Sequence, residues 1–296
     1  MSLPPQPSYL AACVQLRSTE DTRGNLDRAE ALIRRAAARG ASLITTPEAT
    51  PLLGPQFHKV ERAEPLEVGD PLAVSCARFS ALAAELKVHL LLGSLAERRL
   101  TPEGGVDTQR CYNTSVLFGP DGAQLARYRK IHLFDVDVRG GGAQAGAQAG
   151  AVSIRESDTV APGDEVVVVS TPLGRLGLSV CYDLRFPELY RALVDRGAEV
   201  ILVPSAFTLT TGKDHWHTLL RARAIECQAW VLAPGQWGQH DAEGRRQSYG
   251  HSLIVDPWGC VAADAGHGEG VCYAEVDLGR VAQVRASIPV GSNRRL

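Results

Sequence analysis

Residues 176–189 read Leu176-Gly177-Leu178-Ser179-Val180-Cys181-Tyr182-Asp183-Leu184-Arg185-Phe186-Pro187-Glu188-Leu189. An apolar run leads into a cysteine, and Pro187-Glu188 suits the first turn of a helix, with φ pre-set and a carboxylate near the positive end. The pattern predicts a strand over Gly174 to Val180 and a helix over Pro187 to Arg196. A side chain on such a turn stands at the carboxyl edge of the sheet, where open α/β proteins place reactive groups. Cys181 is thereby set apart from the other cysteines, Cys13, Cys76, Cys111, Cys227, Cys260 and Cys272. These seven are odd in number and lack the close pairs of zinc or redox motifs, so disulfides and structural metal are disfavoured. The ordinary role of such a thiol is a small buried apolar group.

Working outward, strands and helices alternate. Tyr9 to Leu16 is a β-rich run, and Gly24 to Arg39 sets Leu26, Ala29, Ile33 and Ala36 at helical spacing before Gly40. Leu43 to Thr46 reads as a strand, Pro71 to Lys87 as a helix and Val88 to Leu92 as a strand, giving βαβαβ. Cys111 to Phe118 and Ala123 to Tyr128 flank the turn Gly119-Pro120-Asp121-Gly122 and add antiparallel pairing. Beyond Glu165 to Ser170 and the quoted stretch come a strand at Glu199 to Val203 and a helix at Lys213 to Cys227. Strands follow at Trp230 to Pro234, Ser248 to Val255 and Val271 to Val276, with a turn at Asp256-Pro257-Trp258-Gly259. No linker divides these elements, so residues 1–296 read as one α/β domain. Arg139 to Ala151, with Gly140-Gly141-Gly142 and repeated Ala-Gln-Ala-Gly, departs from this texture and reads as a loop of low complexity.

A content of 45% apolar and 22% charged residues supports a buried core, and the formal net charge of −2 gives no bulk attraction to nucleic acid. No apolar run approaches the roughly 20 residues needed to span a bilayer. Met1 to Pro7 lacks the blocks of a signal peptide. A cytoplasmic protein with neither nucleic-acid nor membrane partner is expected.

A thiol with an ordinary pKa of about 8.5 needs a base or a positive neighbour to act as a nucleophile. Glu48, in Thr45-Thr46-Pro47-Glu48-Ala49, stands just past the second strand. Lys130, in Arg127-Tyr128-Arg129-Lys130-Ile131-His132, follows the strand after the Asp-Gly turn. Each alone reads as a solvated surface charge; together with Cys181 they follow separate strands, as in a site assembled from loops over one sheet.

In order, Pro47-Glu48, Tyr128-Arg129-Lys130-Ile131-His132-Leu133-Phe134-Asp135 and Gly177 to Glu188 resemble the Glu, Lys and Cys blocks of the nitrilase (carbon–nitrogen hydrolase) superfamily. The similarity continues through Pro204-Ser205-Ala206-Phe207, Thr211-Gly212, His215-Trp216, Leu220 to Glu226, Ser248-Tyr249-Gly250-His251-Ser252 and Asp256-Pro257-Trp258-Gly259. These later blocks look like the Nit branch, whose members are ω-amidases and deaminated glutathione amidases, and most like the latter. The resemblance implies a four-layer α-β-β-α sandwich that pairs into at least a homodimer, with no cofactor and no metal.

It further implies that Glu48 deprotonates Cys181, which attacks the carbonyl of a small amide. Lys130 and the backbone N–H of Tyr182 would hold the oxyanion. Glu48 would then protonate departing ammonia and activate water against the thioester. Glu156, in Ile154-Arg155-Glu156-Ser157, matches a further glutamate that helps orient the site. Carboxylate-bearing substrates call for a guanidinium in the pocket. Arg185 is the candidate anchor, against a salt bridge with Glu188 as its plain role, and Phe207 and Thr208 are candidate pocket walls. His251 reads as structural. The 139–151 stretch is the main departure from the family pattern and bears on the loop bordering the entrance.

Deaminated glutathione is the expected substrate, with the ω-amides keto-glutaramate or keto-succinamate as alternatives. A non-catalytic scaffold of the same fold would have lost Glu, Lys or Cys from the blocks, and none is lost. A Cys–His hydrolase of the glutamine amidotransferase type usually flanks its cysteine with glycine, whereas Val180 and Tyr182 stand here.

Overall fold

The computed structural model describes residues 8–138 and 152–295. The Gly/Ala/Gln stretch and the N-terminal segment read above lie outside them. In chain order the first half runs β1 (Ser8–Gln15), α1 (Thr22–Ala38), β2 (Ala41–Thr45), α2 (Gln56–Glu61), α3 (Val74–Leu86), β3 (His89–Leu100), β4 (Val106–Phe118), β5 (Gln124–Arg129) and β6 (Asp135–Val138). Next come β7 (Val152–Arg155), β8 (Val160–Ala161), β9 (Val168–Thr171), β10 (Gly174–Leu178), a 3₁₀ turn at Cys181–Arg185, α4 (Pro187–Asp195), β11 (Val200–Leu202), α5 (Leu209–Cys227) and β12 (Trp230–Ala233). The chain continues with β13 (Trp237–Gln239), β14 (Gln247–Tyr249), β15 (Leu253–Val255), β16 (Val261–Asp264), β17 (Gly270–Asp277), α6 (Leu278–Ser287) and α7 (Val290–Asn293).

The strands build two large sheets, β17-β1-β2-β3-β4-β5 with β8 joined to β4, and β16-β15-β12-β11-β10-β9. Side-chain alternation along the first sheet decides the layering. Ala12, Val14, Ile44, Leu90, Leu92, Val116 and Phe118 pack against Leu26, Ala29 and Ile33 of α1 and Cys76, Phe79 and Leu82 of α3. Their sequence neighbours Ala11, Cys13, Leu43, Leu91 and Leu117 pack instead with Leu176, Leu178, Ile201 and Leu232 of the second sheet. The outer face of that sheet is covered by Leu189, Tyr190 and Leu193 of α4 and Trp216, Leu220 and Ala224 of α5, within the same cluster. The result is the helix–sheet–sheet–helix sandwich of a single domain, as expected.

Most predicted elements recur within a few residues. One does not: Ser248 to Val255 is two strands, β14 and β15, because Gly250 (φ 80°) and His251 (φ 52°) turn the backbone into the left-handed region. The strand predicted at Val88 to Leu92 is longer, His89–Leu100, with a register irregularity between Leu92 and Leu95. At that irregularity Gly93 N–H donates to Thr46 Oγ1 (3.1 Å), and Ser94 accepts from the N–H groups of Ala49 (to Oγ, 2.9 Å) and Thr50 (to O, 3.2 Å). The bulge thus shapes the turn that carries Glu48.

A Cβ at Gly93 would sit 1.9 Å from the carbonyl oxygen of Thr46 and 2.4 Å from that of Pro47, both backbone atoms that cannot swing aside. Gly93→Ala is expected to destabilise the fold by about 2 kcal/mol and to lower turnover with it; urea denaturation and an amidase assay on one preparation check both.

Candidate active site

Four buried polar side chains converge where the carboxyl ends of the two sheets meet. Glu48 follows β2, Asn113 lies in β4, Lys130 follows β5, and Glu156 follows β7. Lys130 Nζ donates to Glu48 Oε1 at 3.0 Å and to Glu156 Oε2 at 2.8 Å. Asn113 Nδ2 bridges the same two carboxylates, at 2.9 Å to Glu48 Oε1 and 3.1 Å to Glu156 Oε1. Backbone N–H groups complete the array, from Ala206 to Glu48 Oε2 and from Phe134 to Glu156 Oε2, each at 2.8 Å. Only donors face the two carboxylates, as ionised groups require.

Lys130 is 2% exposed. Burial opposes its charge, but the fields of Glu156 and Glu48 outweigh this and hold it well above the usual lysine range. Burial likewise opposes ionisation of Glu156, and Lys130, with Lys59 behind it, more than compensates and brings its carboxyl down to about 2. Lys130 therefore stays an ammonium and Glu156 a carboxylate at neutral pH.

Cys181 follows β10 on the 3₁₀ turn and joins this group from the second sheet. Its φ is 49°, a conformation uncommon for a residue with a side chain, and its N–H donates to Pro204 O at 2.9 Å. Burial and then the adjacent Glu48 carboxylate push the thiol well above the usual cysteine range, with Lys130 opposing. The group at rest is a thiol beside the Glu48 carboxylate.

Asp183, fully buried two residues on, clamps this turn to the Lys130 segment. Its Oδ2 accepts from Tyr128 Oη (2.7 Å) and Val180 N (2.8 Å), and its Oδ1 accepts from His132 N (3.0 Å) and contacts His132 Nδ1 (2.7 Å). The His132 ring then stacks on Phe186 at 3.7 Å.

These groups stand at the floor of a cleft of about 1240 Å³ whose wall includes Tyr182, Arg185, Phe207 and Thr208. Arg185 makes no ion pair with Glu188; its guanidinium meets His215 Nδ1 at 3.3 Å and lies 5.2 Å from the Phe207 ring centroid. Phe207 is both wall and core, since it also packs on Trp216. The Thr208 hydroxyl is engaged with that of Thr211 at 2.8 Å. His251 lies outside the cleft.

The low-complexity stretch precedes Glu156 in the chain. It falls between β6 and β7, whose ladder runs from Val138↔Val152 to Asp135↔Arg155, so Glu156 sits at the opposite end. Asn113 and Asp183 were not singled out in the sequence. For Asn113 the available signal was an amide in the predicted strand Cys111 to Phe118; for Asp183 it was a carboxylate beside Leu184 in the cysteine block.

A family model described as carbon-nitrogen hydrolase matches residues 10–286. The chain belongs to the carbon-nitrogen hydrolase family. Among its relatives, a deaminated glutathione amidase of Synechocystis sp. is 42% identical over 284 residues, covering 95% of this chain and 96% of that protein. The omega-amidase NIT2 of Homo sapiens is 37% identical over 290 residues, covering 97% and 95%. The crystal structure of Saccharomyces cerevisiae Nit3, described as a member of branch 10 of the nitrilase superfamily, superposes with a TM-score of 0.83 at 32% identity, covering 100% and 99%. This carbon-nitrogen hydrolase is thus an amide-hydrolysing enzyme with the Nit-branch fold.

Two outcomes follow from the geometry. Asp183→Asn leaves buried donors without their charged acceptor and is expected to cost about 3 kcal/mol of stability, read as a lowered denaturation midpoint. Because the Glu156 carboxyl is held below its ordinary value of 4.5, its ionisation stabilises the fold above that pH. That contribution disappears as the pH falls towards about 2. Thermal midpoints of the wild type should therefore drop more steeply through this window than those of Glu156→Gln.

Proposed function

We propose that this hydrolase cleaves a small carboxylate-bearing amide, deaminated glutathione in the first place, through a thioester on Cys181. The observation that carries the reading is that Glu48, paired with the Lys130 ammonium, lines the same cleft as Cys181 and lies close enough to raise its thiol. On this reading Glu48 accepts the thiol proton as sulfur attacks the amide carbon. The tetrahedral oxygen is held by Lys130 Nζ and by the N–H of Tyr182, which lies in a first helical turn where no intrahelical acceptor exists. Glu48 then hands its proton to the departing nitrogen, and the carbon–nitrogen bond breaks. It next takes a proton from water as the hydroxide oxygen attacks the thioester, and returns that proton to the leaving sulfur. Glu156 and Asn113 touch no reacting atom; they fix Lys130 and Glu48 and act as positioning residues.

The departing nitrogen differs between candidates. An ω-amide releases ammonia, whereas every amide nitrogen of deaminated glutathione belongs to the peptide, so the leaving group is a peptide amine. Two observations favour the larger substrate. The relative named for it is 42% identical against 37% for the omega-amidase, and a cleft of about 1240 Å³ exceeds the needs of a short ω-amide. Arg185, without a carboxylate partner among the described residues, is the proposed anchor for a substrate carboxylate, with Phe207 and Thr208 beside it.

Two further properties belong to the same proposal. A homodimer is supported by an exposed apolar patch in which Ile225 of α5 abuts the turn of Trp258 and Gly259, with Val261 next along the chain. A cytoplasmic location suits a nucleophilic thiol that must stay reduced. No helix among the described residues is long and apolar enough to cross a membrane.

The test compares deaminated glutathione with keto-glutaramate on purified wild type, Cys181→Ala and Glu48→Gln. Cys181→Ala is expected to lose a factor on the order of 10⁴ or more in kcat, and Glu48→Gln about 10² to 10⁴. A kcat/KM about tenfold higher for keto-glutaramate would reverse the substrate choice. Activity retained by Glu48→Gln would remove the glutamate base, and no turnover of any amide by wild type would favour a scaffold.

A further inference from the structure

A constellation of metal-ligating atoms lies outside the cleft. His217 belongs to α5, His251 stands in the connection between β14 and β15, and Asp264 ends β16. One donor atom from each lies within 4.8 Å of the others. His217 Nε2 is 3.1 Å from Asp264 Oδ2, and His251 Nδ1 is 3.0 Å from both oxygens of the same carboxylate.

Tetrahedral Zn²⁺ with bonds of about 2.0–2.2 Å to nitrogen and oxygen sets its donor atoms about 3.4 Å apart. Separations of 3.0 and 3.1 Å are short of that by a few tenths of an ångström, so an ion enters by replacing the shared protons and spreading the donors slightly.

The surroundings hold these donors in place. His251 has φ 52° and follows Gly250 at 80°, in the left-handed turn that ends β14. Such a conformation costs a non-glycine residue energy and persists only where neighbours enforce it. Here the His251 N–H donates to Gly266 O at 3.1 Å, its carbonyl accepts from Trp216 Nε1 at 2.8 Å, and its ring stacks on Tyr249 with centroids 4.5 Å apart. The turn thereby aims the imidazole at Asp264. Asp264 is itself fixed, since its Oδ1 accepts from Gly266 N at 2.7 Å. Outer contacts of this kind orient ligands before a metal arrives. A third imidazole, that of exposed His267, packs edge-on to His251 with centroids 4.9 Å apart.

We propose that His217, His251 and Asp264 form a binding site for a borderline divalent transition-metal ion, Zn²⁺ being the first case, with the fourth position taken by water or His267. Two imidazoles and one carboxylate suit such an ion better than Mg²⁺ or Ca²⁺, which prefer all-oxygen shells. The bound ion would tie α5 to the β15–β16 end of the second sheet.

The experiment is Zn²⁺ titration by calorimetry of the full chain carrying Cys181→Ala and Cys260→Ser, which removes the catalytic thiol and the exposed one. A single equivalent is expected to bind, and to bind at least about tenfold more weakly in each of His217→Ala and Asp264→Asn. Zn²⁺ should raise the thermal midpoint of the parent and of neither variant. Co²⁺ should give visible bands without thiolate charge transfer. Affinity unchanged by both substitutions, thiolate bands with Co²⁺, or no uptake below about 100 µM would each overturn the site. In the otherwise wild-type chain His217→Ala is expected to leave amide turnover unchanged, which separates this site from the hydrolytic one.

Discussion

The ammonium of Lys130, held between two carboxylates in the interior, is the constraint around which this molecule is arranged. An isolated charge at that depth would be neutralised or expelled. It persists because Glu48 and Glu156 each meet it within 3.0 Å and Asn113 ties the two acids together. Four chain segments must be in register for that to happen: three follow strand ends, and Asn113 lies within β4. Removing Lys130 would leave two buried carboxylates facing each other with no cation among the bonds they accept, which ties the cluster to folding.

The second sheet contributes the sulfur, and the two halves are joined by a carboxylate. Asp183 reaches back from the cysteine turn to Tyr128 and His132, the residues that flank Lys130. This ties the cysteine turn to the segment that carries Lys130. Backbone strain marks the same places: Cys181 has φ 49°, and Ala49, immediately after Glu48, has φ 56°. Both functional turns thus carry an uncommon conformation, held by hydrogen bonds from the neighbouring strands.

Much of this was legible in the residues. The alternation of strands and helices foretold an α/β domain, the family likeness its layers, and the cysteine turn with Pro187-Glu188 the edge at which the site forms. Glu48, Lys130 and Cys181 were expected over one sheet, whereas the first two follow strands of one sheet and the cysteine a strand of the other; spacing does not show this, since it needs the folding of two sheets against each other. Asn113 and Asp183 escaped notice because a polar residue in an apolar run carries no mark of its partner. The split of Ser248 to Val255 was missed for a local reason: the left-handed turn is made by His251 as well as by glycine, and a histidine does not announce that geometry. Cysteine spacing argued against structural metal, yet spacing is blind to His217, His251 and Asp264, which meet only through tertiary contact.

The charge balance of the buried array bears on the end of the reaction. Two carboxylates and one ammonium leave the site one negative charge in excess. An amide carbonyl enters that environment without charge. In the proposed reaction the acid formed from it ionises beside Glu48 and Glu156, and like charges in a poorly screened interior repel. The pocket that accepts the reactant is thus inhospitable to what it makes, which speeds ejection of the new anion and weakens inhibition by accumulated acid.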